Sequence, residues 1–158
     1  MKPLSTSGRA LILVASLLSS WPALAQTEDF AVVVNTNNPV TNLSEAEVRN
    51  LFAGEKHSWP GGAPVKPFVR APGTGERAAV LKLLGMSEGE YKQHWISQVF
   101  RGDAQTEPQI LPSNGMQKEA VASFSGGIAL MNSQDVKPGM KVVRVNKRLP
   151  GEPGYPLH

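Results

Sequence analysis

The sequence of 158 residues contains no cysteine, which excludes disulfides and cysteine-ligated metal centres. Its three histidines, His57, His94 and His158, lie far apart and show no metal-ligand spacing. The hydrolase motifs His-Glu-x-x-His and Ser-x-x-Lys do not occur. We therefore expect no metal site, no cofactor and no enzymatic activity.

Long apolar runs are also absent beyond the first 25 residues. There, Lys2 and Arg9 precede and flank the apolar run 10–18, and Ala23-Leu24-Ala25 has the small residues of a cleavage site. A membrane anchor is the alternative interpretation, but the run falls short of the ~20 residues that span a bilayer. The sequence predicts a signal peptide over residues 1–25, a mature chain that begins at Gln26, a periplasmic location and no membrane insertion of the mature form.

The mature chain has no large excess of charge of either sign. Without Lys2 and Arg9 the 16 basic side chains fall to 14, against 13 acidic ones. A basic cluster does lie near the C-terminus, but no docking motif or interleaved aromatic residue accompanies it, so we expect a solvated surface and no nucleic-acid partner. Its members are Lys137, Lys141, Arg144, Lys147 and Arg148.

Four apolar stretches have the pattern of strands. The run 30–35 lacks alternation, which is typical of a strand covered on both faces. Pro67 within the second stretch, 65–70, indicates an edge strand or an irregular start. The stretches 128–131 and 141–145 complete the set, whereas the Pro- and Gly-rich residues 149–158 are expected to be a disordered tail.

Helices alternate with these strands. Ser44 with Glu47 and Ser87 with Glu90 form two capping boxes, and Gly54 and Gly85 are placed to end helices. A helix over 78–84 follows the second strand, and Asn114 with Gln117 begins another that ends near Phe124. Tyr91, Trp95 and Val99 are expected on one buried helical face, Trp59 is expected to pack on the core, and residues 101–112 are expected to form an irregular loop.

This alternation predicts a single α/β domain over residues 26–148, with a mostly parallel mixed sheet flanked by helices. Ligands of such sheets gather at the carboxyl ends of strands. The turn after Arg70 therefore becomes the candidate site.

The segment Arg70-Ala71-Pro72-Gly73-Thr74-Gly75-Glu76 joins a strand to a helix. The first N–H groups of a helix are unpaired donors at the positive end of its dipole, which favours an anion. Gly73 and Gly75 allow close backbone approach, Thr74 adds a hydroxyl donor, and Arg70 offers a fork of donors. Ordinary helix capping and a surface arginine explain the same residues without a ligand. A dinucleotide fingerprint is disfavoured, because no acidic residue ends a second strand some twenty residues later.

Four segments together resemble the phosphate-type periplasmic substrate-binding proteins of ABC transporters, including their short relatives. The segments are Val33-Val34-Asn35 with the Leu43-Ser44 helix start, Leu51-Phe52-Ala53-Gly54 with Trp59, Arg70-x-x-Gly73-Thr74-Gly75, and Ser125-Gly126-Gly127-Ile128-Ala129. Their order and spacing also agree with that family. The resemblance implies one lobe of a type 2 periplasmic-binding-protein fold.

The resemblance further implies that Arg70 pairs with phosphate or a similar oxyanion, which Gly73, Thr74 and Gly75 help to bind. Pro72 stands where the family has an acid, and Glu76 stands where it has a hydroxyl residue. The family binds its ligand between two lobes, whereas this length suits one, so we expect weak binding that hardly distinguishes phosphate from sulfate. A transporter permease or another envelope protein is the implied partner. The alternative is a ligand-free interaction or accessory domain in the cell envelope.

Overall fold

The computed structural model describes residues 28–158. The predicted signal peptide and the predicted first mature residue, Gln26, lie outside the described residues. From residue 28 to the end, no helix combines the length and the apolar character needed to cross a bilayer.

A six-stranded sheet forms the centre of the domain, with the strand order β2-β6-β1-β5-β3-β4. Its strands are β1 (Phe30–Val34), β2 (Asn42–Leu43), β3 (Lys66–Arg70), β4 (Gln109–Leu111), β5 (Gly127–Asn132) and β6 (Lys141–Val145). Strand β1 runs antiparallel to both of its neighbours, β5 and β6. The pairs β2–β6, β3–β4 and β3–β5 are parallel. Every strand except β1 therefore points its carboxyl end to the same edge, as the predicted mostly parallel mixed sheet requires.

Four helices flank the sheet: α1 (Glu45–Ala53), α2 (Gly75–Leu84), α3 (Glu88–Arg101) and α4 (Asn114–Ser123). Both predicted capping boxes are present, at Ser44 with Glu47 in α1 and at Ser87 with Glu90 in α3. Gly54 and Gly85 end α1 and α2 in the left-handed conformation, at φ +75° and +67°. Helix α4 is capped by Ser113, one residue before the predicted start.

The core consists of two layers, one on each face of the sheet. The larger one packs α1, α2 and α3 against alternate residues of the strands, including Val32, Val34 and Ile128. The smaller one packs Val121 of α4 against Phe68, Leu111 and other residues of the opposite face. All five residues of β1 are buried, as its continuous apolar run predicts. Trp59 is 3% exposed, and its Nε1 donates to the Gly126 carbonyl at 3.0 Å, which confirms that it packs on the core.

Three expectations need correction within the regular elements. Of the two interpretations of Pro67, the edge strand is wrong, because β3 lies between β5 and β4. Pro67 is tolerated there because the pairing with β4 begins only at Phe68. Part of the predicted irregular loop is the short strand β4, too brief for a clear pattern. Val99 is 41% exposed, because the buried line of α3 runs through Tyr91, Trp95 and Gln98 instead.

The predicted disordered tail is also wrong, because residues 149–158 pack on the domain. The Phe30 N–H donates to the Leu157 carbonyl at 2.9 Å, and the Tyr155 hydroxyl donates to the Phe30 carbonyl at 2.7 Å. Tyr155 and Leu157 are 3% and 6% exposed. Two apolar anchors within a Pro- and Gly-rich segment are sufficient to order it, although composition alone indicates disorder.

Candidate functional site

The predicted binding turn lies at the edge where the strands β3, β4 and β5 have their carboxyl ends. Strand β3 ends at Arg70 and α2 begins at Gly75, so the turn consists of only four residues. Gly73 adopts φ +90°, a conformation that side chains with a Cβ rarely adopt, and this allows the chain to reverse toward the helix. Thr74 is the N-cap in extended conformation, and its Oγ1 also donates to the Ala71 carbonyl at 2.9 Å.

Two backbone donors at the start of α2 have no partner among the described residues. The Arg77 N–H is accepted by the Thr74 hydroxyl at 3.2 Å, and the Ala78 N–H is accepted by the Thr74 carbonyl at 3.0 Å. The N–H groups of Gly75 and Glu76 have no acceptor in the described part of the chain. Gly75 is exposed, so an acceptor from solvent can reach its N–H. This is the open helix terminus that the sequence predicts.

Arg70 clamps the loop between β4 and α4. Its Nε donates to the Leu111 carbonyl at 3.2 Å, its Nη2 donates to the Pro112 carbonyl at 3.3 Å, and its Nη1 donates to the Asn114 side-chain oxygen. These bonds use three of the five N–H groups of a guanidinium. The other two leave Arg70 only part of its capacity for an anion.

Three carboxylates lie around this turn. Glu76 Oε1 lies 3.8 Å from Arg70 Nη1, and the two side chains are 10% and 12% exposed. Asp135 accepts from Asn114 Nδ2 at 2.6 Å, on the far side of the amide that binds Arg70. Glu28 Oε2 lies 3.9 Å from the point where a side chain at Gly75 would begin. Since like charges repel at these distances, the three carboxylates oppose the attraction of an anion to the helix terminus.

The four predicted site residues therefore meet in one turn, but with unequal roles. Gly75 contributes an open N–H, Thr74 caps the helix, and Gly73 makes the turn. Arg70 was predicted to pair with an oxyanion, and its present partners are carbonyl and amide oxygens and Glu76. Glu76 was expected to repel an anion; its side chain folds back to Arg70 and is buried.

Sequence reasoning missed three residues of this site. Asn114 was assigned to the start of a helix, and no local signal connects it to Arg70, 44 residues earlier. Asp135 follows the last residues of β5 in a short 3-10 turn. Glu28 precedes β1, whose amino end meets this edge because β1 is antiparallel. Glu28 and Asp135 lie at the same edge because the start of β1 pairs with the end of β5, where Phe30 lies opposite Asn132.

A cavity of about 740 Å³ lies elsewhere, between the amino-terminal parts of β3 and β4 and the loop after α3. Lys66, Trp95, Gln109 and Gly126 are among its lining residues, and no residue from Arg70 to Glu76 lines it. The predicted turn is therefore not part of this cavity. Within residues 28–158, no three acidic or histidine side chains are grouped to hold a metal ion.

Comparison with solved structures identifies similar folds in three proteins. An ABC-type phosphate transport receptor from Vibrio cholerae is 20% identical with a TM-score of 0.65, over 82% of this chain and 53% of the receptor. A putative phosphate ABC transporter substrate-binding protein with bound phosphate from Clostridium perfringens is 22% identical with a TM-score of 0.60, over 76% and 46% of the two chains. PstS from Borrelia burgdorferi is 16% identical with a TM-score of 0.59, over 78% and 49%.

The chain thus spans about half the length of these three proteins. The likeness confirms the predicted α/β class and the predicted fold. A family model described as a PBP superfamily domain matches residues 19–152, most of the sequence. Together with the mixed sheet and the strand-to-helix turn after Arg70, this match shows that the chain belongs to the PBP superfamily-domain family.

Proposed function

We propose that this protein is a solute-binding-type module that takes phosphate or a similar oxyanion at the start of α2. The observation that carries the proposal is the pair of open N–H groups, at Gly75 and Glu76, beside the guanidinium of Arg70. Backbone donors, a helix dipole and an arginine are the groups that bind oxyanions in proteins. The fold shared with phosphate receptors supports the same choice of ligand.

The charges around the turn predict weak binding. An exposed helix terminus contributes about 0.3–1 kcal/mol toward an anion. Glu76, Asp135 and Glu28 oppose that contribution, and three of the donors of Arg70 are already in use. We therefore propose millimolar affinity, without catalysis, and little distinction between phosphate and sulfate. The carboxylates of Glu76 and Asp135, which could accept the proton that phosphate alone carries, already pair with Arg70 and Asn114.

The proposal includes export. A signal peptide over residues 1–25, a periplasmic location and a transporter permease as partner all follow from the resemblance and from the pattern of the first 25 residues. The chain recovered from the periplasm should begin at Gln26, and an intact-mass measurement on that material checks this before any titration.

The test is a calorimetric titration of the exported chain with phosphate and, at matched ionic strength, with sulfate. Glu76→Gln removes the nearest opposing charge and keeps the side-chain size, so phosphate affinity should rise about three- to thirtyfold. Glu45→Gln makes the same charge change in the first turn of α1 and is the matched control, with no expected change. Equal gains in the two variants would place the anion away from α2.

A second candidate is a ligand-free interaction module. The specific observation in its favour is the buried ion pair between Arg70 and Glu76, which already gives the arginine an anion from the same chain. On this hypothesis, neither the natural sequence nor Glu76→Gln binds phosphate or sulfate at any concentration that the calorimeter can reach. Binding that Glu76→Gln strengthens selects the oxyanion site.

A further inference from the structure

The outer surface of α3 carries a row of residues that the fold of the domain does not use. Gly89, Gln93, Ile96 and Phe100 are spaced by four, three and four residues, so they lie on one line along the helix. Phe100 is 91% exposed and Ile96 is 50% exposed. Val99 flanks the line and is 41% exposed. A phenylalanine that is almost fully exposed next to a second apolar side chain is typical of an interaction surface.

This row is separate from the residues that hold α3 on the domain. Tyr91, Trp95 and Gln98 form the buried line on the opposite side of the helix. Trp95 packs on Gly54, where even a methyl group would lie 2.5 Å from its ring. The buried side of α3 therefore fixes the orientation of the helix on the domain. Phe100, on the opposite side, consequently faces solvent.

The row is complementary to itself when two α3 helices lie antiparallel. If Ile96 of one copy lies opposite Gln93 of the other, the same spacing brings Phe100 opposite Gly89 of the second copy. Gly89 has no neighbouring atom within 4 Å of the point where a side chain would begin, so it offers space for an aromatic ring. A two-fold axis produces this contact twice, since such interfaces use the same surface on both subunits.

The charges of α3 also favour the antiparallel arrangement. The first turn is acidic, with Glu88 and Glu90, and the last turn carries Arg101. Glu90 and Arg101 lie on the same flank of the exposed row, because they follow Gly89 and Phe100 by one residue. Antiparallel packing brings Arg101 of each copy toward Glu90 of the other and sets the two helix dipoles in opposition.

We propose that the outer face of α3, defined by Gly89, Gln93, Ile96 and Phe100, binds a second copy of this chain in an antiparallel two-fold contact. The occupant is a second copy because both the space at Gly89 and the opposite charges are supplied by the same helix. An aromatic side chain buries roughly 150–250 Å², and stable interfaces bury roughly 800 Å² per partner. The contact is therefore a weak dimer, with dissociation constants in the micromolar range or above.

The first experiment is analytical ultracentrifugation of the exported chain over a wide range of concentration. The natural sequence should associate as concentration rises, and Phe100→Asp should raise the dissociation constant at least tenfold. Met116→Asp is the matched control, because Met116 is 47% exposed on α4, against the other face of the sheet, and should change it less than twofold. A natural chain that stays monomeric throughout, or equal effects of the two variants, overturns the proposal.

The second experiment tests the antiparallel arrangement by charge reversal. Arg101→Glu and Glu90→Arg should each weaken self-association, because each places like charges together at both symmetric contacts. A mixture of the two variants should restore it, since both contacts then join opposite charges. Circular dichroism checks that both variants keep their helices. A mixture that associates no better than either variant alone contradicts the antiparallel pairing.

Discussion

Helices α1, α2 and α3 all begin with a hydroxyl N-cap and a glutamate in the first turn. Only α1 and α3 have a capping box, a start that we call closed, whereas α2 has none and its start is called open. In α3, Glu90 is the third helical residue and accepts from the Ser87 N–H at 2.7 Å; in α1, Glu47 accepts from the Ser44 N–H at 2.8 Å. In α2 the third residue is Arg77, which cannot accept, and the acid is Glu76, one residue earlier. A displacement of one residue removes the capping box.

The displaced acid takes a different partner. Glu76 turns toward Arg70, whereas Glu47 and Glu90 turn toward their own N-caps. The start of α2 is consequently bound to the end of β3 and, through Arg70, to the loop before α4. This difference separates helix starts that are self-contained from the one that organises the carboxyl edge of the sheet.

The largest effect that this comparison predicts is on stability, at Arg70. Arg70→Ala removes three hydrogen bonds and leaves Glu76 without its cation in a mostly buried position, so we expect a loss of about 2–4 kcal/mol. Arg101→Ala is the control, because Arg101 pairs with Asp103 at 2.8 Å on the surface, with the two side chains 58% and 51% exposed. It should cost less than about 1 kcal/mol. Urea unfolding measures the stability lost in each variant, and equal losses would contradict the role of Arg70 in holding the loop before α4.

The sequence predicted the self-contained features well. The two capping boxes, the glycine helix ends and the continuous burial of β1 depend on neighbouring residues, and each is confirmed. The partners of Arg70 were not predicted, because Leu111 and Asn114 lie more than 40 residues away and their approach depends on how β3 and β4 pair. The ordered tail was missed for the same reason, since Tyr155 meets Phe30 across the whole domain.

A smaller predicted effect is the energetic coupling between the N-cap residue and the glutamate of the first helical turn. Ser87→Ala and Glu90→Gln act on one reciprocal pair, so a double-mutant cycle at α3 should give a coupling energy clearly different from zero. Thr74→Ala and Glu76→Gln affect separate contacts, with Arg77 and with Arg70, so the cycle at α2 should be additive within about 0.3–0.5 kcal/mol. Unfolding free energies of the six variants supply both numbers. Strong coupling at α2 would mean that its start is closed after all.

The smallest expected effect is on the pH dependence of stability, and it arises at the closed helices. The hydrogen bond from the Ser44 N–H, aided by the Ser44 hydroxyl, holds the pKa of Glu47 below its ordinary value of 4.5. The pKa of Glu90 is lowered in the same way by Ser87. A carboxyl group whose pKa is lower in the folded state stabilises the fold above its unfolded pKa, and this contribution disappears as the pH falls through the folded value. It should therefore be complete at pH 6 and diminish below about pH 4.5.

Glu47→Gln keeps the side-chain shape but cannot ionise, so the difference in stability between it and the natural sequence should be widest near pH 6 and shrink toward pH 3. Ser44→Ala removes the hydroxyl that donates to the Glu47 carboxylate and should reduce the same pH dependence in part, because the bond from the Ser44 N–H remains. Urea unfolding at several pH values measures these differences, which are a few tenths of a kcal/mol for exposed groups. Parallel curves for the natural sequence and Glu47→Gln from pH 6 to pH 3 would show that the capping carboxylate does not contribute through its charge, and the distinction between closed and open helix starts would then be one of geometry alone.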